Sequence, residues 1–287
     1  MSLYDYLEKH YAPGTARSYC REIRNFLSNY PGARTAGYPD LVGYIGRLRE
    51  RYGNACTLHR IVCSIKVYYD YLCYTGQRQD HPARFLYLRD PRSRDVQLQD
   101  LFTAGELEQL LDRKARYSSL YYRNQVLMSL LVYQGLTPQE LAQLRTSDIH
   151  LEAGTVYIKA TATTNSRTLS LKQHQVLLLY SYLQGVRPRL LKQTTSDGLL
   201  IGLRSRPMCT EDIVKHVLRS YRGMFPGRTV SAQRIRQSVI ANLLAAGHDV
   251  GVVQRFCGHK YPSSTERYRQ DQVEALKTAI GQYHPMK

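Results

Sequence analysis

Tryptophan is absent from this 287-residue chain, acidic residues are outnumbered, and no two cysteines form a Cys-x-x-Cys pair. No apolar run approaches the about eighteen residues that a membrane-spanning helix needs. The first residues, MSLYDYLEKHYAPGTARSYC, carry early acids and no apolar h-region, which excludes a secretory signal and leads to the expectation of a cytoplasmic protein. The six cysteines are Cys20, Cys56, Cys63, Cys73, Cys209 and Cys257, and their spacing fits neither a disulfide framework nor a zinc site. Cys56 and Cys63 fall inside an apolar helical pattern and are expected as buried free thiols. Cys257 and His259 have no second ligand pair beside them, so no metal and no other cofactor is expected. With no tryptophan present, 24 tyrosines and 5 phenylalanines supply the aromatic bulk.

What is abundant is positive charge. There are 40 Lys and Arg against 23 Asp and Glu, a net +17, and arginine outnumbers lysine 30 to 10. The planar guanidinium fork suits bidentate phosphate contacts. A basic globular chain with no membrane signal points to a nucleic acid as partner. An inert basic surface or an acidic protein partner stays open on composition alone.

Hydrophobic periodicity divides the chain. Residues 15–75 read as helical, with Thr15 and Asp40 as caps. Tyr19, Ile23 and Phe26 mark one helix, Leu41, Ile45 and Leu48 a second, and Leu58 through Leu72 a third that stops at Gly76. Residues 77–101 break the pattern with Pro82, Pro91 and mixed charge, and read as a linker. The expected organisation is therefore a helical domain over 1–76, a linker over 77–101 and a second domain over 102–287. The second opens on a capping box, Thr103 with Glu106. It is mainly helical, with Gly135, Gly247 and Gly258 as helix stops and Thr210, Ser231 and Asp249 as caps. One stretch, IHLEAGTVYIKATATTNSRTLSL, alternates instead and reads as a small antiparallel sheet with a polar tip near residues 163–166. The fold class expected is mainly α, in two domains.

Three segments of the second domain carry a resemblance. YQGLTPQELAQLRTSDIHLEAGTVYI, QRIRQSVIANLLAAGHDVGVVQRFCGH and STERY occur in that order, with 23 residues from Arg236 to His259 and nine from His259 to Tyr268. Together they resemble the tyrosine recombinase (phage integrase) family, in its compact bacterial, Xer-like members. The stretch TARSYCREIRNFLSNY near the N-terminus is similar to that family's core-binding domain. The resemblance implies a DNA-binding protein acting in recombination or integration. In the family, a tyrosine attacks a DNA phosphodiester, forms a 3′-phosphotyrosine and releases a 5′-hydroxyl, without metal or nucleotide. Two arginines stabilise the charge that builds on the phosphate, and a hairpin lysine and histidines assist. Double-stranded DNA with inverted-repeat sites is the implied partner, bound by a dimer or tetramer, with no membrane involved. The apolar Val273, Leu276 and Ile280 near the C-terminus are expected to dock on a neighbouring protomer.

Carried over residue by residue, the resemblance places the nucleophile at Tyr268, the second arginine at Arg236 and the histidine of Gly-His at His259. Taken singly, Tyr268 also reads as a buried helix aromatic, Arg236 as a surface phosphate contact and His259 as a helix C-cap or core histidine. Three positions depart from the family. Its first arginine falls on Thr137, which has a capping job in Thr-Pro-Gln-Glu. Its first histidine falls on Gln233, which can donate a hydrogen bond but cannot shuttle a proton. Its hairpin lysine falls near Thr161 or Ala162. Lys159, Arg167, Arg234 and Arg145 are the candidate stand-ins. Losing one preorganised donor costs about two to three orders of magnitude in rate, and losing a general acid roughly two to four more. Two readings follow: a recombinase with weakened cleavage, or an accessory or regulatory factor that binds a DNA site without cutting. A basic RNA-binding or structural protein is the third, and leaves the ordered motifs unexplained.

Overall fold

The computed structural model describes residues 1–89, 100–113 and 120–269. Its contacts divide the chain into two units, Met1–Arg94 and Asp95–Lys287.

The first unit is a four-helix bundle. Ser2 and Asp5 cap each other's backbone N–H groups at 3.0 and 3.2 Å and open α1 (Leu3–His10), a helix absent from the periodicity reading. The next, α2 (Pro13–Asn29), begins at Pro13, where the missing N–H costs nothing. Thr15 therefore lies inside the helix and caps nothing. Asp40 sits at the third position of α3 (Tyr38–Arg51), where its carboxylate accepts the Gly37 N–H at 2.8 Å. Asn54 caps α4 (Ala55–Tyr74), and Gly76, at φ 69°, turns the chain out of it. Phe26, Ile23, Leu41, Ile65 and Tyr69 form the fully buried centre. Tyr69 satisfies its hydroxyl by donating to the Ala33 carbonyl at 2.6 Å, so a buried tyrosine can do the work of a larger aromatic here.

Two expectations change in this unit. Cys56 and Cys63 are exposed, because the core stripe of α4 runs through Leu58, Ile61 and Ile65 and turns the opposite face to solvent. The buried thiols are Cys20 and Cys257. Of the segment read as a linker, Ala83 and Leu86 enter the bundle core. Residues 90–99 of that segment lie outside the described residues.

The second unit is helical with one small sheet. Thr103 and Glu106 form their capping box and start α5 (Ala104–Gln109), with Phe102 and Leu107 both buried. The central helix α6 (Tyr121–Gln134) is buried nearly all round and ends on Gly135 in the left-handed region, at φ 59°. Then follow α7 (Pro138–Gln143) and three antiparallel strands, β1 (Ile149–His150), β2 (Thr155–Ile158) and β3 (Arg167–Ser170), in that spatial order. Val156 opposes Leu169, and both face the core. Helices α8 (Gln173–Ser181), α9 (Arg187–Leu191) and α10 (Thr210–Ser220) follow, α8 packing against α6 and α10 against α7. Thr210 is the first residue of α10 rather than its cap, a place held by Cys209. Helix α11 (Ala232–Ala245) starts on the Ser231 hydroxyl and α12 (Val250–Cys257) on the Asp249 carboxylate. A short α13 (Ser263–Glu266) follows. The apolar segment at Val273, Leu276 and Ile280 lies outside the described residues. Among the described residues, no helix is long and apolar enough to cross a membrane.

Candidate functional site

Four local structures meet in the second unit: the N-terminus of α7, the tip of the β2–β3 hairpin, the first turns of α11, and the turn from α12 into α13. Their meeting leaves a cleft of about 700 Å³ whose walls include Thr137, Gln233, Arg236, His259, Arg267 and Tyr268.

Glu140 ties these parts together. It is fully buried, and its Oε2 accepts the Thr137 N–H at 2.8 Å, the return half of the capping box. Its Oε1 accepts the Thr164 hydroxyl at 2.8 Å and Arg167 Nη1 at 2.6 Å, while Arg167 Nη2 reaches Oε2 at 3.3 Å. Arg236 Nη1 stands 3.8 Å from Oε2. Burial alone would raise the Glu140 pKa. The Arg167 fork, with the Thr137 N–H and Arg236 behind it, outweighs burial and holds the carboxyl below its usual range.

Arg236, on α11, is held by backbone. Its Nη1 donates to the Gly135 carbonyl and its Nη2 to the Cys257 carbonyl, each at 2.6 Å. Both acceptors belong to helix ends whose last carbonyls have no intrahelical partner. The guanidinium thereby satisfies two helix termini and gains a fixed plane. Burial pulls its pKa down from the ordinary value, with Cys257 and Glu140 pushing back, and a guanidinium remains charged regardless.

The hairpin tip is strapped to the histidine. Asn165 N–H donates to the Gly258 carbonyl at 2.7 Å, and Thr164 bridges to His259. Gly258 is left-handed at φ 69°, and a Cβ there would stand 2.5 Å from Arg167 Nη1 and 2.9 Å from the Asn165 carbonyl oxygen. Only glycine admits that approach. His259 places Nδ1 2.8 Å from the Thr265 hydroxyl. Burial first, then the cations Arg236, Arg267 and Arg167, push its pKa down to about 4. The imidazole is therefore neutral at physiological pH.

His216 on α10 is likewise depressed to about 4, first by burial and then by Arg123 and Arg113. A histidine depressed in the folded state stays neutral while the unfolded chain takes up a proton near pH 6.5. Folding stability from both is thus complete above about pH 6.5 and is lost as pH falls towards about 4. The expected loss is on the order of 1 kcal/mol per histidine, allowing for water at half-buried rings. Thermal melts across that window check it. A melting temperature independent of pH there, or unaltered in its slope by His216→Asn, counts against it.

Tyr268 packs its ring with Ile240, Leu244, Val253 and Cys257 and is 4% exposed. Its hydroxyl meets Arg267 Nη2 at 3.4 Å, and the Arg267 guanidinium carbon lies 5.2 Å from the ring centre. Gln233 reaches the cleft from an exposed position.

The candidate stand-ins point elsewhere. Lys159 Nζ is 3.4 Å from Asp148, Arg145 pairs with Asp197 at 3.0 Å, and Arg234 donates to the Thr229 carbonyl at 3.1 Å. Arg167 is held in its buried pair with Glu140. None of these four is on the cleft wall. Thr161 accepts the Thr163 and Thr164 N–H groups at 3.2 and 3.1 Å, so it shapes the hairpin tip, and Ala162 beside it is exposed. Arg267, Thr265 and Glu140 are the residues that sequence reasoning passed over. Arg267 was visible only as the neighbour of Tyr268, and Glu140 only as the cap partner of Thr137.

Comparison with known proteins places this geometry. The model of the phage integrase family matches residues 101–275. The chain is 26% identical over 288 residues to the tyrosine recombinase XerD of Oceanobacillus iheyensis, covering 97% of this chain and 95% of that one. It is 25% identical over 292 residues to XerC of Halalkalibacterium halodurans, covering 99% and 95%. Among solved structures, the XerH site-specific recombinase bound to its difH substrate is similar at a TM-score of 0.69 and 20% identity, covering 91% of this chain and 78% of that one. A lambda integrase dimer bound to a COC′ core site gives 0.66 at 15% identity, covering 92% and 93%. At that identity the two structures speak for the fold. The family match, which takes in well over half the residues and the whole of the cleft, establishes that this chain belongs to the phage integrase family, the tyrosine recombinases.

Proposed function

We propose that this protein binds a specific duplex DNA site, cuts one strand slowly through Tyr268 and rejoins it, as a recombinase with a depleted site. The observation that carries the reading is the convergence of Tyr268, Arg236 and His259, from three successive elements, on one cleft. The Tyr268 oxygen attacks phosphorus, and the bond from phosphorus to the 5′-oxygen breaks. A 3′-phosphotyrosine and a free 5′-hydroxyl result. The proton lost by the phenol is balanced by the one the 5′-oxygen takes up. Arg236, held rigid by two carbonyls, is placed to meet charge on a non-bridging oxygen without reorganising. His259 is neutral and can donate one N–H. Gln233 can donate but cannot move a proton. The +17 charge supports phosphate contacts spread along the duplex, so affinity falls steeply with salt. The lambda integrase relative was solved as a dimer on its core site, and two copies on paired inverted repeats, or four across two duplexes in the cytoplasm, are the assembly proposed here.

The experiment is covalent trapping. Duplexes that bind this protein are selected from random-sequence DNA, and a nick just downstream of the cut position lets the short fragment bearing the free 5′-hydroxyl escape. A protein–DNA adduct attached at Tyr268, identified by peptide mass, is the expected result. Binding without any adduct supports the second reading, an accessory factor that recognises a site. That reading is favoured by Thr137, which is uncharged, and by Lys159, which pairs with Asp148.

Thr137→Arg is expected to raise the trapping rate by about two orders of magnitude, since it restores one preorganised donor. Removing the cap costs about 1 kcal/mol of stability. An unchanged rate shows that position 137 is not where this site lacks charge.

A further inference from the structure

One cationic contact at the phosphate is missing at Thr137, and the four basic residues considered as stand-ins at this site are engaged with Asp148, Asp197, Thr229 and Glu140. One other guanidinium stands on the cleft wall. Arg267 forms the C-cap of α13, at φ −59° and ψ −16°, where the backbone begins to leave the helix. Its side chain turns back over the Tyr268 ring and brings Nη2 to 3.4 Å from the phenolic oxygen. Among the described residues, no carboxylate pairs with it. The charge is therefore uncommitted, lies in the cleft and sits beside the attacking atom.

We propose that Arg267 is the second cation of this site, a catalytic residue that contacts a non-bridging oxygen of the scissile phosphate in place of the arginine absent at Thr137. The assignment rests on the cleavage reading above. Two observations carry it beyond proximity. A phosphorus within bonding reach of the Tyr268 oxygen has its non-bridging oxygens within a few ångströms of that atom, about the length over which Nη2 already approaches it. Arg236, His259 and Arg267 also line one cleft with Tyr268, so a phosphate held there meets both guanidinium groups and the imidazole. Because cation and nucleophile are consecutive residues, they enter and leave the site together. An arginine at the start of α7 would instead be carried by a separate element.

The test compares trapping rates of the unaltered protein, Arg267→Ala and Arg267→Lys on two nicked duplexes of the binding-selected sequence. One carries the ordinary phosphate at the cut position, the other a neutral methylphosphonate. Arg267→Ala is expected to lose about a hundredfold or more on the phosphate. On the methylphosphonate, which has no charge to neutralise, the loss shrinks to less than about tenfold, and Arg267→Lys recovers part of the phosphate rate. Arg267 is exposed, so folding is not at stake, and binding to the same duplex changes little. Equal losses on both duplexes mark a merely structural role and overturn the assignment. So does an Arg267→Ala rate within about threefold of the unaltered protein. In both cases the cleavage reading survives. No adduct from the unaltered protein overturns that reading, and the assignment with it.

Discussion

Tyr268→Phe is expected to abolish covalent attachment to DNA altogether while leaving the protein folded and bound to its site. The substitution removes one oxygen. The ring keeps its place among Ile240, Leu244, Val253 and Cys257, and the hydroxyl makes no hydrogen bond beyond a contact of 3.4 Å with the exposed Arg267. The melting temperature should therefore stay within the range of a neutral substitution, about 0.5 kcal/mol. Removing a nucleophile, by contrast, leaves nothing for the other groups to assist, and such losses reach about six orders of magnitude elsewhere. Affinity, resting on many phosphate contacts, should be unchanged. Gel shift and trapping on one duplex preparation read both quantities. An adduct that survives Tyr268→Phe places the nucleophile on another residue and removes the basis for the site as drawn.

Glu140→Ala should destabilise the second unit by about 3–5 kcal/mol, the cost of breaking a buried ion pair from one side. The number is large because one carboxylate serves three elements. It closes the cap of α7 through the Thr137 N–H, accepts the Thr164 hydroxyl at the hairpin tip and neutralises Arg167, whose own side chain is 6% exposed. Without it, Arg167 is left charged and buried, with its Nε lacking a hydrogen-bond partner already. In a unit of this size the loss lowers the melting temperature by about 10 °C. The double variant Glu140→Ala with Arg167→Ala should be less destabilised than the two single losses summed, by about 1–3 kcal/mol, since removing both charges relieves the uncompensated one. Simple additivity would show that the pair does not organise the cleft. Because Arg236 also lies 3.8 Å from Glu140, the single variant should slow trapping even where it remains folded.

These two residues show how unevenly the molecule could be read. Tyr268 was marked by its place after Gly258 and His259. Glu140 was visible only as the far end of a capping box, because hydrogen bonds within three residues are written in local sequence and bonds to residues 164 and 167 are not. The same limit explains the stand-ins. Lys159, Arg145 and Arg234 lie near the right segments, but a long charged side chain turns to whichever carboxylate or carbonyl the fold brings within reach, and each found one. Arg267 was passed over because neighbours in a helix point about 100° apart, so the residue beside a nucleophile ordinarily faces away from its chemistry. Here both Arg267 and Tyr268 line the cleft.

Local interactions are legible from the chain alone. The caps at Thr103, Thr137, Ser231 and Asp249, the left-handed glycines at 135 and 258, and the alternation that makes the small sheet each depend on a few adjacent residues, and each formed as its neighbours dictate. So did the ordered spacing of Arg236, His259 and Tyr268, which was sufficient to indicate the family. Which face of α4 took the core, and so left Cys56 and Cys63 in solvent, was settled by packing. So was the choice of cations left free in the cleft: charge pairs are made through space, between residues that only the completed fold brings together.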